Sequence, residues 1–182
     1  TTVFVGTTVY VAGDDLCAWT SNPNGVIENP AGSYNDSSCI FGLSTGLSGL
    51  YTIGGTTPDF TDFPAAIAAL NAVGVCGPTI FDVRTGTYFD QFELINVIGM
   101  NATNTVTFRS ETGNRNDVTV NYGTAGPTNN YIVKMNNADY FRIESMTLVN
   151  PGATYGRVFD IQGGSEHNTI FNCNIQTQAA SS

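Results

Sequence analysis

The chain has 182 residues, only 12% of them charged, and a formal net charge of -9. Such an acidic surface repels the phosphate backbone of nucleic acids, which excludes them as partners, and no apolar run approaches the roughly 20 residues that a membrane-spanning helix needs. The low charge and the 20 glycines are typical of a β-rich protein with many turns, and we expect it to be secreted or on the cell surface.

Residues 1–48 differ in pattern from the rest of the chain. Residues 3–5 and 9–11 have the character of two short strands, and a long turn-rich stretch follows them. Cys17 and Cys39 flank a polar loop and are predicted to form a disulfide, which implies an oxidising compartment. We therefore predict an N-terminal β/loop segment over residues 1–48 and a second domain over residues 49–182.

Metal ligands are sparse in this sequence. The loop carboxylates Asp14, Asp15 and Asp36 could bind calcium, although clustered loop carboxylates are more often simply solvated. No spacing of cysteine and histidine indicates zinc. Cys76 and Cys173 are expected to lie several coils apart, too far for a disulfide. Calcium is thus the only cofactor that the sequence leaves open.

One helix is predicted, over residues 62–73, after a small junction at 44–49 and a strand at 51–53. Thr61 or Asp62 serves as N-cap, and Pro64 falls in the first turn, where its missing N–H does no harm. Gly74 ends the helix. We expect a cap over the first end of a sheet stack, because the helix is short and apolar on one side. That apolar stripe contains Phe63, Ala66, Ile67 and Leu70.

From residue 79 onward, apolar residues alternate with polar ones and recur at a step of 25–27 residues. This step predicts a right-handed parallel β-helix of about four coils, in which each strand stacks on its predecessor. An antiparallel β-sandwich would explain the alternation but not the shared step. The first column of inward residues contains Phe81/Val83, Val106/Phe108, Val133/Met135 and Phe159/Ile161. The second column contains Leu94, Val120, Met146 and Cys173.

One pattern is written twice, at residues 141–148 and 168–175. Ile143 maps to Ile170 by a step of 27, and Leu148 maps to Ile175 by the same step. Residues 131–176 therefore read as the last two coils. Because solenoids need closed ends, we expect the final coil, at Cys173 and Ile175, to meet further coils of the same chain or to associate end to end with another copy.

An outward face of the predicted coils offers candidate ligand-binding residues. Its outward columns are Asp82, Thr107, Lys134, Asp160 and, beside them, Arg84, Arg109, Asn136, Gln162. Asp82 and Asp160 would stand three coils, about 14 Å, apart, whereas paired glycosidase carboxylates need roughly 5–9.5 Å. Lys134 is instead placed for a salt bridge with Asp160. We assign no catalytic residue, and the candidate binding face contains Asp82, Arg84, Arg109, Lys134 and Asp160.

Four stretches resemble the opening of β-helix domains in large secreted surface proteins of Bacteroidota. They are residues 51–55 (YTIGG), 58–60 (PDF), the helix at 63–70 and 77–88 (GPTIFDVRTGTY). The run at 168–175 is similar to the coil signature of pectin-lyase-like β-helices. The resemblance implies a β-helix fold, export by the type IX secretion system and, in some relatives, adhesion linked to gliding.

These observations favour an extracellular or cell-surface structural or adhesive β-helix module, possibly one part of a larger fibre. The alternative is a polysaccharide-active β-helix enzyme, either a lyase or a glycoside hydrolase, or a carbohydrate-binding module. The expected partners are polysaccharides or other surface and matrix components. Six aromatic residues could stack on sugars: Tyr88, Phe89, Phe92, Tyr122, Tyr131 and Tyr155.

Overall fold

The computed structural model describes residues 16–19, 37–40, 45–123, 127–152 and 155–177. The chain forms two compact units, Thr1–Thr45 and Gly46–Ser182. The predicted strands at 3–5 and 9–11, and the carboxylates Asp14, Asp15 and Asp36, lie outside the described residues. The predicted junction at 44–49 already enters a strand at Leu47, so the second unit begins slightly before residue 49.

The described part of the first unit is a disulfide-linked strand pair. Strands β1 (Leu16–Trp19) and β2 (Ser37–Ile40) are antiparallel, with Cys17 opposite Cys39. The predicted disulfide between these two cysteines is confirmed, and it closes a sequence separation of 22 residues. Two short strands are marginal by themselves, and a crosslink over a loop of this length stabilises them by about 3 kcal/mol.

The second unit is a parallel β-helix, as predicted, with three strand stacks that we call the first, second and third sheets. The chain visits them in that order in each coil, and every pairing between neighbouring strands is parallel. The first sheet contains β3 (Leu47–Ile53), β4 (Val75–Val83), β7 (Val106–Ser110), β10 (Phe141–Glu144) and β13 (Thr169–Phe171). The second contains β5 (Gly86–Tyr88), β8 (Val118–Asn121), β11 (Thr147–Asn150) and β14 (Asn174–Thr177). The third contains β6 (Phe92–Ile95), β9 (Val133–Asn136) and β12 (Phe159–Gln162).

Helix α1 (Phe63–Val73) follows β3 and covers the first end of the stack. The predicted N-cap Asp62 accepts a hydrogen bond from the Ala65 N–H at 2.8 Å, and Gly74 ends the helix at a φ of +70°. Phe63 stacks on Phe92 of β6 at 4.9 Å between ring centroids. The predicted helix is thus confirmed, together with its buried stripe of Phe63, Ala66, Ile67 and Leu70.

The outer edge of β3 is also closed. The Phe60 N–H donates to the Thr52 carbonyl at 3.0 Å, and the Gly54 N–H donates to the Phe60 carbonyl at 2.9 Å. Asp59 Oδ2 accepts from both the N–H and the hydroxyl of Thr52, at 2.7 and 2.8 Å. These hydrogen bonds, the Thr52 hydroxyl first, lower the pKa of Asp59. Such bonds occupy backbone groups that an edge strand otherwise offers to another chain.

The predicted inward columns were wrong in their path across the sheets. Phe81 and Phe108 are register partners in the first sheet, but the next partner of Phe108 is Ile143, 35 residues on. Val133 lies in the third sheet, opposite Phe92. Inward residues alternate in the same way in all three sheets, so a constant step can link strands that do not pair. In the second predicted column, Leu94 lies in the third sheet, Val120 lies in the second, and Met146 and Cys173 lie between strands.

The last two coils follow the predicted repeat. Ile143 pairs with Ile170, and Leu148 pairs with Ile175. The corner between the first and second sheets repeats as well, because Asn172 Nδ2 donates to Ser145 Oγ at 3.0 Å and both residues have a φ near +50°. Thr119, which the sequence placed in this polar column, lies instead within β8. The repeat therefore includes the corners as well as the strands.

Two glycines with left-handed backbone make a matched test of packing between coils. An alanine Cβ at Gly99 (φ +90°) would collide with the Val75 carbonyl oxygen, whereas at Gly113 (φ +71°) it would meet nothing within 4 Å. We expect Gly113→Ala to lower the free energy of unfolding by about 1 kcal/mol through backbone strain. Gly99→Ala should cost about 1–3 kcal/mol more, because space already filled must open. Urea unfolding measures both, and equal losses would contradict the packing at Gly99.

Candidate functional site

The structure divides the five predicted face residues between two sheets. Asp82 and Arg109 are register partners on the outer side of the first sheet, with Arg84 just beyond the end of β4. Lys134 and Asp160 are register partners on the third sheet. A single face containing all five does not form, because the column used to predict it crossed from one sheet to another. Their role in binding a ligand stays a prediction.

The outer row of the first sheet alternates in charge from coil to coil. Asp82 lies opposite Arg109, and Arg109 lies opposite Glu144. Arg109 Nε binds Asp82 Oδ1 at 2.7 Å, and this bond raises the pKa of Arg109. Arg142 Nη2 binds Glu144 Oε1 at 2.7 Å. The Asp82 side chain is only 11% exposed, so this carboxylate depends on Arg109 for its compensation.

Arg84 serves the corner after β4. Its guanidinium donates to the Thr56 carbonyl, and its Nε lies 3.8 Å from Glu111 Oε1. The Tyr88 hydroxyl donates to the Arg84 carbonyl at 2.7 Å, and burial raises the pKa of Tyr88. Because the side chain and the backbone of Arg84 both hold this corner, the residue has a structural task that the sequence did not reveal.

The third sheet carries a second charged row. Glu93 lies opposite Lys134, and Lys134 lies opposite Asp160. Lys134 Nζ binds Glu93 Oε1 at 3.0 Å, and Asn136 Nδ2 donates to the same oxygen at 3.0 Å. These two bonds, that of Asn136 first, lower the pKa of Glu93.

The salt bridges on this row differ from the predicted one. Lys134 was expected to pair with Asp160, but the salt bridge that the structure shows for Lys134 is with Glu93. Asp160 Oδ1 instead lies 3.3 Å from Arg157 Nη1. The sequence missed Glu93 because 41 residues separate it from Lys134, far from the assumed step. The usable signal was its outward position next to the inward Leu94.

These rows favour charge compensation over acid–base chemistry. Glu93 and Asp160 flank one strand and so stand two strand spacings, about 9.6 Å, apart, close to the upper limit for an inverting glycosidase. A general acid needs a raised pKa, however, and that of Glu93 is lowered. Burial does raise the pKa of Asp90, but Asp90 accepts the Phe63 N–H at 3.3 Å at the start of α1. No described carboxylate combines the position and the pKa of a general acid.

Other candidate sites are limited in the part of the chain that the structure describes. No group of three or more His, Cys, Asp or Glu there could hold a metal ion. Of the aromatic residues proposed to stack on sugars, Phe92 belongs to the buried core and Tyr88 packs against it. Phe89 and Tyr155 are exposed, while Tyr122 and Tyr131 are half-buried. Four of the six aromatic candidates therefore remain accessible at least in part.

The bond between Arg109 and Asp82 can be tested by a double-mutant cycle. Arg109→Met leaves a largely buried carboxylate without its partner, so we expect the free energy of unfolding to fall by about 1–3 kcal/mol. Adding Asp82→Asn removes that charge, and the double variant should lose less than the sum of the single losses. Guanidinium unfolding of all four proteins measures the cycle. Additive losses would show that the pair does not stabilise the stack.

The lowered pKa of Glu93 predicts a pH dependence. Ionised Glu93 stabilises the fold above its unfolded-state pKa of about 4.3, and this stabilisation is lost as the pH falls through the lower folded-state pKa. Glu93→Gln should therefore reduce the free energy of unfolding at pH 7, and the gap to the unmodified protein should narrow below about pH 4.3.

Urea unfolding from pH 7 to pH 3 measures the gap. Glu111→Gln, which removes the longer 3.8 Å ion pair, is the control and should cost less at pH 7. A gap for Glu93→Gln that stays constant over the whole range would contradict the assignment.

The comparisons with known proteins support the fold. No protein-family model matches the sequence, and no curated protein matches it. The structure is similar to the pectin methylesterase from Aspergillus niger, solved in deglycosylated form, with a TM-score of 0.51 and 18% sequence identity. The similarity covers 71% of this chain and 43% of the length of that one. At this identity the likeness shows a shared parallel β-helix fold.

Proposed function

We propose that this chain is a structural or adhesive β-helix module of a secreted or cell-surface protein. The observation that carries the proposal is the pairing of charges on the outer faces. Each of five carboxylates forms a salt bridge with its own basic residue: Asp82 with Arg109, Glu93 with Lys134, Glu111 with Arg84, Glu144 with Arg142 and Asp160 with Arg157. Three of these bridges join different coils, so the charged faces hold the solenoid together.

The proposed location rests on two features. The disulfide between Cys17 and Cys39 suits an oxidising compartment outside the cytosol. No described helix is long and apolar enough to cross a membrane. The resemblance of residues 51–88 to secreted Bacteroidota surface proteins adds export by the type IX secretion system to the proposal. Polysaccharides or matrix components are the partners that we propose for such a module.

A polysaccharide-active or carbohydrate-binding protein is the second candidate. Its support is the fold shared with a pectin methylesterase and the half-buried Tyr131 near the charges of Lys134 and Glu93. An aromatic ring beside polar groups is a common way to bind sugars. Against catalysis stands the salt bridge of each outward carboxylate in these rows, since a working acid must change protonation during the reaction.

A polysaccharide panel separates the two candidates. Incubation with neutral, acidic and methyl-esterified polysaccharides should release no reducing ends, unsaturated sugars or methanol above a blank, because the outward carboxylates are held ionised in salt bridges. A purified pectin methylesterase is the positive control. Product release that is lost in Asp160→Asn or Arg109→Ala, with circular dichroism unchanged, would replace the structural proposal by the enzymatic one.

A further inference from the structure

Three isoleucines on the last strands point inward but are not covered. Ile161, Ile170 and Ile175 are 54%, 38% and 50% exposed. Their register partners one coil earlier are fully buried: Met135, Ile143 and Leu148. Residues with the inward position and chemistry of a core thus lie at the surface, and a large share of their apolar area remains in contact with water.

The same end offers three strand edges together. β12, β13 and β14 are each the last strand of their sheet. A single extended peptide could pair with one of these edges and would leave the other two open. A partner that pairs with all three, and that covers the isoleucines between them, must itself carry three strands around a common core. That description fits another β-helix coil.

The charges on the third sheet specify this partner further. Glu93, Lys134 and Asp160 alternate in sign from coil to coil. Opposite charges on facing strands stabilise a sheet and like charges destabilise it. A coil that continues the third sheet would therefore place a basic residue opposite Asp160 and aliphatic residues opposite the three isoleucines.

The opposite end of a second copy does not provide such a coil. There, Phe63 of α1 packs on Tyr88 and Phe92 of β5 and β6, while Asp59 and Phe60 occupy the outer edge of β3. Head-to-tail stacking of two copies would have to displace both coverings. The end-to-end self-association expected from the sequence is thus disfavoured in its head-to-tail form.

We infer that β12, β13 and β14 form a docking end for a further parallel β-helix coil with inward aliphatic residues and a basic residue opposite Asp160. This inference rests on the proposed structural role and names the partner for it. The register of the last two coils, which repeats every 27 residues at Ile143/Ile170 and Leu148/Ile175, gives the length that the added coil should have.

An added coil tests the inference directly. A duplicate of residues 151–177 is inserted after Thr177, with Asp160→Lys in the duplicate, and amide hydrogen exchange is followed by mass spectrometry. Burial of the exposed part of each isoleucine contributes roughly a factor of five, so exchange in β13 and β14 should slow roughly a hundredfold. The matched control keeps Asp160 in the duplicate, which sets two carboxylates opposite each other and should give less protection.

Two results would overturn the inference. The first is a duplicate that exchanges as fast as an unfolded chain while β13 and β14 are unchanged. The second is a symmetric dimer of the original chain, seen by light scattering, that protects the same three strands as the concentration rises. A positive polysaccharide panel would overturn the structural role but would not alter the exchange result, so the two failures are distinguishable.

Discussion

The stacking of inward side chains in consecutive coils is the constraint on which the rest of the structure depends. At the first end the stack is aromatic, with Phe81 on Phe108 at 4.8 Å and Phe63 on Phe92 at 4.9 Å between ring centroids. Further along the first sheet the inward residues become aliphatic, at Ile143 and Ile170. Large rings fill the wide space beneath α1, and smaller side chains suffice where the coils are more regular. Each sheet keeps its register because a slip by one residue would turn these side chains outward.

Local features of the sequence were sufficient to predict α1 and the last two coils. The N-cap Asp62, the stripe from Phe63 to Leu70 and the terminal Gly74 are signals within one short segment. The final coils have short corners, so their strands recur at 26 or 27 residues. In both cases the information that determines the structure lies close together along the chain.

The earlier coils and the charged rows were not predictable in the same way. Connections after β7 and β8 lengthen the step from Phe108 to Ile143 to 35 residues and the step from Leu94 to Met135 to 41. Inward residues of all three sheets alternate identically, and a constant step can therefore join Val106 of the first sheet to Val133 of the third. The same error joined Asp82 to Lys134 and hid Glu93, because the outward residues were assigned from the inward ones. Pairing between strands, which the sequence does not encode locally, decides which charges meet.

The alternating charges are best understood as part of the stacking. In both rows a basic residue lies between two acidic ones on neighbouring coils: Arg109 between Asp82 and Glu144, and Lys134 between Glu93 and Asp160. A displaced strand would bring like charges together, so these rows penalise wrong registers as well as stabilise the correct one. Carboxylates engaged in this way are poor acids and bases. A ligand on these faces would then be recognised by polar groups and accessible aromatic rings such as Tyr131, and its binding would leave the ionic rows between the coils intact.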